Sequence, residues 1–272
     1  MMLQKQLGVA IDSIVEYLNN YSDPVYIQWD FNDYKRLLKF KNIHKKEDCF
    51  IIGNGPSLNK LDLSLLNNYY TFGLNKIYLI FEKINLNISY HVAVNNLVIE
   101  QSAREFEKLN CPSFLSARAA DNVVDKRDHI YKIFTAGSPF VFQTDASKLI
   151  CEGYTVTYVA MQLAFYMGFK RIFLIGVDHN FTAVGNPNEK QFLKGDDPNH
   201  FTPGYFGNKE WHLPDLEGSE LAYHMARFNF NRSGREIYDA TVDGKLQIFP
   251  KITFEQALDM CKKKGSGKDV VM

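Results

Sequence analysis

The period of the apolar positions changes near residue 45. Before it, Leu3, Leu7, Ile11, Ile14, Val15 and Leu18 recur at helical spacing, and a second helix is expected over residues 31–40. From Cys49 onward, short apolar runs alternate with helical stretches. Residues 49–52 read as a buried strand that ends in Gly53, Asn54, Gly55, Pro56 and Ser57. Residues 69–74 and 90–94 read as further strands, with weaker candidates at 113–116 and 130–134. Residues 155–167 form a predicted helix with Gly168 as its stop, followed by a buried strand over 171–176. A helix over 219–229, a strand over 236–241, a turn at Asp243 and Gly244, an apolar run over 246–249 and a last helix capped by Thr253 complete the series. Strands that alternate with helices require crossover connections, hence a largely parallel sheet covered on both faces.

One stretch breaks the alternation. Residues 177–216 are polar and rich in Gly and Pro, yet they carry His179, His200, Tyr205, Trp211 and His212. A loop of that length inside a compact domain is expected to be a functional lid. The plan is therefore an N-terminal helical extension (1–45), a catalytic α/β domain (46–260) with its lid at 177–216, and a flexible tail (261–272). No internal repeat is visible.

Composition narrows the function classes. With 31 Lys+Arg against 31 Asp+Glu in 272 residues, the chain carries no net charge, which argues against binding nucleic acid through a cationic surface. No apolar run is long enough for a membrane span, and the N-terminus lacks the pattern of a signal peptide. The four cysteines, Cys49, Cys111, Cys151 and Cys261, are far apart, so neither a zinc site nor a disulfide framework is expected, and a reducing, cytoplasmic setting is.

Chemistry is expected at the strand ends, because ligands of open α/β sheets gather beyond the carboxyl ends of the strands. After the first strand, Gly53, Asn54 and Gly55 either form a structural turn or let a ligand approach the backbone, and Pro56 and Ser57 suit a helix start whose N–H groups would attract phosphate. The turn lacks the length and the Lys of a P-loop. Asn75, Asn95 and Asn96 end two further strands, where an amide serves equally as a turn residue or as a contact to a base or ribose. Asp178 is the carboxylate at such an exit. Thr155, Val156 and Thr157 open the helix before that strand and offer hydroxyls and N–H groups to a phosphate, although Thr155 also suits an ordinary N-cap. His200 in the lid is the candidate for proton transfer, with His179 as its rival.

These residues carry a family resemblance. IIGNGPSL, a next strand ending in Asn, and TVTYVAMQLAFYMGFKRIFLIGVDHNF together resemble the bacterial sialyltransferase and MptE-like superfamily over residues 49–258. That group includes sialyltransferases, the central domain of flagellin-modifying motility accessory factors and archaeal hydroxymethylpterin diphosphokinase. The resemblance implies a Rossmann-like α/β fold, with a largely parallel sheet and helices on both faces. It implies nucleotide contacts at Gly53, Asn54, Gly55, Pro56, Ser57, Asn75 and Asn95 (or Asn96), and at Thr155, Val156 and Thr157, where the family's Thr-Ser-Gly keeps only its Thr. Asp178 matches the family's Gly-Ile-Asp, and His200 its general base. The tyrosines that hold the donor phosphate are replaced by Asn180 and Phe181, so Tyr205 is the remaining candidate hydroxyl, with His179 beside it. The wording GVDHNF lies closer to the MptE-like branch.

Three functions are consistent with this reading. The first is a metal-independent glycosyltransferase of surface-glycan synthesis, such as lipopolysaccharide. Its donor would be a CMP-activated nonulosonic acid or another nucleotide sugar, and the glycan acceptor would bring the enzyme to the inner face of the membrane. No cofactor is needed for it, and homo-oligomers are allowed. The second is an MptE-like diphosphokinase using ATP and Mg²⁺, with Asp178 and Asp196 or Asp197 as ligands. The third is a noncatalytic nucleotide-binding module. The scarcity of Lys and Arg at the strand ends favours the first.

Overall fold

The computed structural model describes residues 22–137, 141–182 and 184–265. The helix expected over residues 3–18 and the end of the tail lie outside the described residues.

Strand β1 (Asp48–Ile52) is buried along its whole length, and its successive side chains go to opposite faces. Cys49 and Ile51 enter one apolar cluster, Phe50 and Ile52 another, so the sheet is covered on both sides. It has seven strands in the order β11 (Glu236–Asp239), β8 (Arg171–Ile175), β1, β2 (Tyr70–Leu74), β3 (Tyr90–Ala93), β4 (Ser113–Ser116) and β5 (Ile130–Ile133). Every neighbouring pair is parallel. The expected strands are thus present, one or two residues shorter at some ends and one residue longer at the start of β1. From β1 the chain builds outward on one side to β5, then returns to place β8 against the other side of β1. That reversal is a topological switch point, and a crevice opens there beyond the strand ends.

The return passes through α5 (Val156–Met167), in which every residue except Val156 and Phe165 is buried. A helix buried nearly all round belongs between layers, and α5 lies between the sheet and α6 (Leu216–Arg232). Its one long polar side chain, Gln162, gives its amide to the Cys151 carbonyl at 2.7 Å and accepts from the Gln143 N–H at 2.9 Å, which satisfies it inside the core. Gly168, at φ +96°, ends the helix in the left-handed region. On the opposite face, α3 (Asn96–Phe106) and α7 (Phe254–Met260) contribute Val98, Phe106 and Phe254. Thr253 and Gln256 close a reciprocal capping box at the start of α7.

Three local features differ from the sequence reading or add to it. In place of one helix over residues 31–40 there are two, α1 (Pro24–Asn32) and α2 (Tyr34–Leu38), with Asp33 between them. Trp29, Leu37 and Phe40 pack into the first cluster, and the Trp29 indole donates to the Lys132 carbonyl at 2.7 Å, so this segment is part of the core. The apolar run at 246–249 is buried without forming a strand. Finally, two short parallel strands, β6 (Thr135–Ala136) and β7 (Ile150–Cys151), follow β5 and the small helix α4 (Ala117–Ala120).

The excursion at 177–216 is packed rather than loose. It holds a hairpin of β9 (Lys190–Leu193) and β10 (Lys209–His212), and Phe201, Tyr205, Phe206, Trp211 and Leu213 are buried in the second cluster. Each such side chain contributes roughly 1.5–3 kcal/mol of gross burial energy, enough to hold the segment down. Among the described residues no helix is long and apolar enough to cross a membrane. All four cysteines are buried thiols outside any disulfide, and burial pushes the Cys111 thiol up to about 12.

Candidate active site

At the switch point the ladder runs on past β1 and β8: the Gly53 N–H donates to the Ile175 carbonyl at 2.8 Å, and the Gly55 N–H to Gly176 at 2.9 Å. The two exits approach so closely that side chains are excluded. A Cβ on Gly53 would lie 2.3 Å from the Gly176 oxygen, and one on Gly55 1.8 Å from Asp178 Oδ2. The glycines therefore make room first for the neighbouring strand exit, not for a ligand.

Asp178 fills that room. Its carboxylate accepts from the Ser57 N–H at 3.1 Å and the Ser57 hydroxyl at 2.6 Å. Burial pushes the Asp178 carboxyl up, and the two bonds from Ser57 oppose that. The phosphate site expected at Pro56 and Ser57 is corrected by this contact. Pro56 has no N–H, that of Ser57 is taken, and that of Leu58 returns to the Gly55 carbonyl at 3.2 Å. The turn is a five-residue 3-10 helix (Pro56–Lys60), and neither Pro56 nor Ser57 lines the crevice.

The crevice itself is a cavity of about 450 Å³. Gly53, Asn54, Gly55, Asn75, Asn95, Thr155, Val156, Thr157, Asp178, His179 and His200 all line it, so most of the expected residues meet there. Asn180 and Phe181 line it too, whereas Asn96 does not. Asn75 sits at φ +48°, a conformation that Asn tolerates well. The side-chain oxygens of Asn54 and Asn75 are buried and take no hydrogen bond. An unpaired buried acceptor costs about 1–3 kcal/mol, so a ligand donor placed there is favoured. Asn95 caps α3 through the Val98 N–H at 3.2 Å and donates to His212 Nδ1 at 3.0 Å. Thr155 caps α5 by accepting from the Thr157 N–H, so the positive end of a 12-residue helix opens on the cavity.

The lid grips three successive strand exits. The Phe201 N–H donates to the Asn54 carbonyl at 2.9 Å, the Lys76 N–H to the Tyr205 hydroxyl at 3.2 Å, and Asn95 to His212. Lys76 reinforces the middle grip: its buried Nζ donates to the Tyr205 carbonyl at 2.9 Å and to Gln101 at 2.6 Å, above the Phe206 ring. Burial lowers this ammonium to about 7.

That anchored stretch presents His200. Its Nδ1 lies 2.7 Å from Asp197 Oδ2, and its ring stacks on Tyr205 at 4.0 Å between centroids and 1° between planes. Burial alone would raise the Asp197 carboxyl, but bonds from His200 and from the Asn199 and Phe206 N–H groups outweigh it and hold the group low. An ionised carboxylate only accepts, so Nδ1 carries the proton and Nε2 is left with a lone pair. His179, the rival, spends its Nε2 on Glu220 at 2.9 Å at the surface.

Tyr205 requires a correction. It is fully buried and does not line the cavity, so it offers no hydroxyl to a phosphate; it supports His200 from beneath. The carboxylates suggested for Mg²⁺ do not assemble into a ligand set either. Asp178 is committed to Ser57, Asp197 to three N–H donors, and Asp196 is exposed and off the cavity. Among the described residues no group of three or more His, Cys, Asp or Glu is arranged to hold a metal. Sequence reasoning missed Glu152 on the wall and Asp197 as the partner of His200. The i,i+3 spacing of Asp197 and His200 was a usable signal; nothing around Glu152 was.

A family model supplies the last observation. The model of the 6-hydroxymethylpterin diphosphokinase MptE-like family matches residues 19–184, well over half of the chain. This chain belongs to the MptE-like family. The match runs from the α1 segment through both strand exits of the switch point. Among solved structures, the MptE-like chain is similar to the sialyltransferase CstII from Campylobacter jejuni, determined in complex with a substrate analogue, cytidine-5'-monophosphate. The two are 14% identical, the match covers 77% of this chain and 86% of that one, and the TM-score is 0.45. No curated protein matches the chain significantly.

Proposed function

We propose that this protein is a metal-independent glycosyltransferase of the sialyltransferase-like type, using a CMP-activated nonulosonic acid. The observation that carries the reading is the composition of the cavity wall: an imidazole held by a buried carboxylate, and no Lys or Arg among the described lining residues. A triphosphate would bring four negative charges to a wall that already holds Glu152, Asp178 and Asp215. A CMP-nonulosonic acid brings two charges rather than four, one on its carboxylate and one on a phosphodiester that the N-terminus of α5 and the hydroxyls of Thr155 and Thr157 are suited to hold.

In this reading the orphaned oxygens of Asn54 and Asn75 accept from the exocyclic amine or the ribose hydroxyls of the nucleoside. The acceptor hydroxyl gives its proton to His200 Nε2 while its oxygen forms the new bond to the anomeric carbon. The bond from that carbon to the phosphate oxygen breaks, and its electron pair leaves with CMP. The α5 N-terminus stabilises the charge gathering on the phosphate, and Asp197 stabilises the imidazolium. An acceptor glycan on a lipid carrier would place the enzyme at the inner face of the membrane.

The family description favours a second reading, pyrophosphate transfer from ATP to a pterin alcohol. One assay separates the two. CMP release from CMP-sialate is expected to persist in EDTA and to fall about 10²–10⁴-fold in His200→Ala. ATP consumption abolished by EDTA, with no CMP release, would establish the second reading instead.

A further inference from the structure

A second cavity, of about 480 Å³, adjoins the first and shares Asn95, Glu152 and His212 with it. On its far side lie Ser116, Arg118 and Thr135. The short β6–β7 pair builds the shared wall: the Glu152 N–H donates to the Ala136 carbonyl at 2.7 Å, which fixes the residue as the chain leaves β7. Buried hydroxyls then orient its side chain. Ser116 Oγ lies 2.9 Å from Thr135 Oγ1, which donates to Glu152 Oε1 at 2.6 Å. Oε2 has no hydrogen bond among the described residues. Burial raises the Glu152 carboxyl, with Thr135 and Arg118 opposing.

The charges here are already matched. Arg118 pairs with Asp23 and lies 4.6 Å over the Phe134 ring, so its charge is answered before any ligand arrives. An anionic ligand would meet Glu152. What the wall offers is one carboxylate oxygen, the amide of Asn96 and the remaining hydrogen-bonding positions of Asn95 and Ser116, a set suited to sugar hydroxyls, which both donate and accept.

We infer that the second cavity is the acceptor subsite and takes an uncharged saccharide, with Glu152 Oε2 accepting from its hydroxyls at the opening between the two cavities. The role as acceptor rests on the glycosyltransferase reading; the saccharide site itself does not.

The test is saturation-transfer NMR on the full chain, with CMP and, separately, with the methyl β-glycosides of galactose, glucose and N-acetylglucosamine and with sialic acid. At least one glycoside is expected to receive saturation, with binding about tenfold weaker in Glu152→Gln, equivalent to one hydrogen bond to a charged group. Asn96→Tyr, at an exposed position that lines only the second cavity, should abolish the contact by filling the space. An unchanged melting temperature confirms that each variant is folded, and either variant alone suffices. No transfer to any glycoside with or without CMP, equal transfer in a folded variant, or stronger binding of sialic acid than of the neutral glycosides would overturn the inference. CMP contact without glycoside contact would remove this site and leave the nucleotide reading; the converse would remove the nucleotide reading and leave the site.

Discussion

His200 depends on three neighbours that hold one ring in one orientation. Asp197 takes Nδ1–H, Tyr205 supports the ring face, and Phe206 meets it edge-on at 5.2 Å between centroids. Asp197→Asn is therefore expected to lower kcat for CMP release by about tenfold or more, toward the loss caused by removing the base, with KM for the CMP-sugar unchanged. Steady-state kinetics check this; a rise in KM alone would assign Asp197 to substrate binding. A second histidine, His91, is structural. It is fully buried on β3, with Nε2 2.8 Å from the Asn75 carbonyl and Nδ1 2.7 Å from Ser113, and burial lowers it to about 4. Its folded-state value lies below the unfolded value of about 6.5, so the unfolded chain binds the extra proton first. The stabilisation is complete above about pH 6.5 and is lost as the pH falls through 4, amounting to about 3 kcal/mol. Urea midpoints measured from pH 7 to pH 4.5 should fall steeply in the wild type and less so in His91→Gln; equal slopes would refute the assignment. At this scale the sequence misled on Tyr205. An aromatic hydroxyl in a polar lid pattern says nothing of which way the ring points, and here it points into the core.

Among the elements, the turn after β1 and the exit of β8 form one unit. Ala at position 55 would drive its Cβ into Asp178, and overpacking of that kind costs about 1–3 kcal/mol. Asp178→Ala alone loses both contacts to Ser57. Because the two changes share one space, Gly55→Ala with Asp178→Ala should be less destabilised than the sum of the single variants, by about 0.5–3 kcal/mol in chemical denaturation. Additive values would mean that the glycine serves something else. The strands and α5 were legible because each carries a clear period or an unbroken apolar run. The lid was legible in position but not in state. Its Phe201, Tyr205, Phe206, Trp211 and Leu213 follow no repeat, so composition read as a loop where packing made a docked element. The β6–β7 pair was invisible because two residues are too few to show a period.

Across the whole molecule, the order of the strands places the cavity. The reversal between β1 and β8 brings residues 53–55, 155–157, 176–181 and the lid to one edge, and a ligand bound there touches segments far apart in the chain. Binding should then stabilise the fold as a unit. CMP at a hundredfold excess over its Kd is expected to add about 2.7 kcal/mol, read as a rise in Tm that is unaffected by EDTA. A rise with ATP that requires Mg²⁺, and none with CMP, would favour the diphosphokinase reading. The apolar pattern by itself determined a parallel α/β sheet and its strand and helix series, and two short motifs, IIGNGPSL and the run ending GVDHNF, carried the resemblance to the bacterial sialyltransferase and MptE-like superfamily. Those properties are local, set by residues a few positions apart. Tertiary structure alone decided that the helix start at Ser57 is closed by Asp178, that Tyr205 is buried as a support, that the lid bearing His200 is docked on three strand exits, and that Glu152 stands between two cavities. Each of those depends on which atoms meet across the fold, and no spacing along the chain encodes such a meeting.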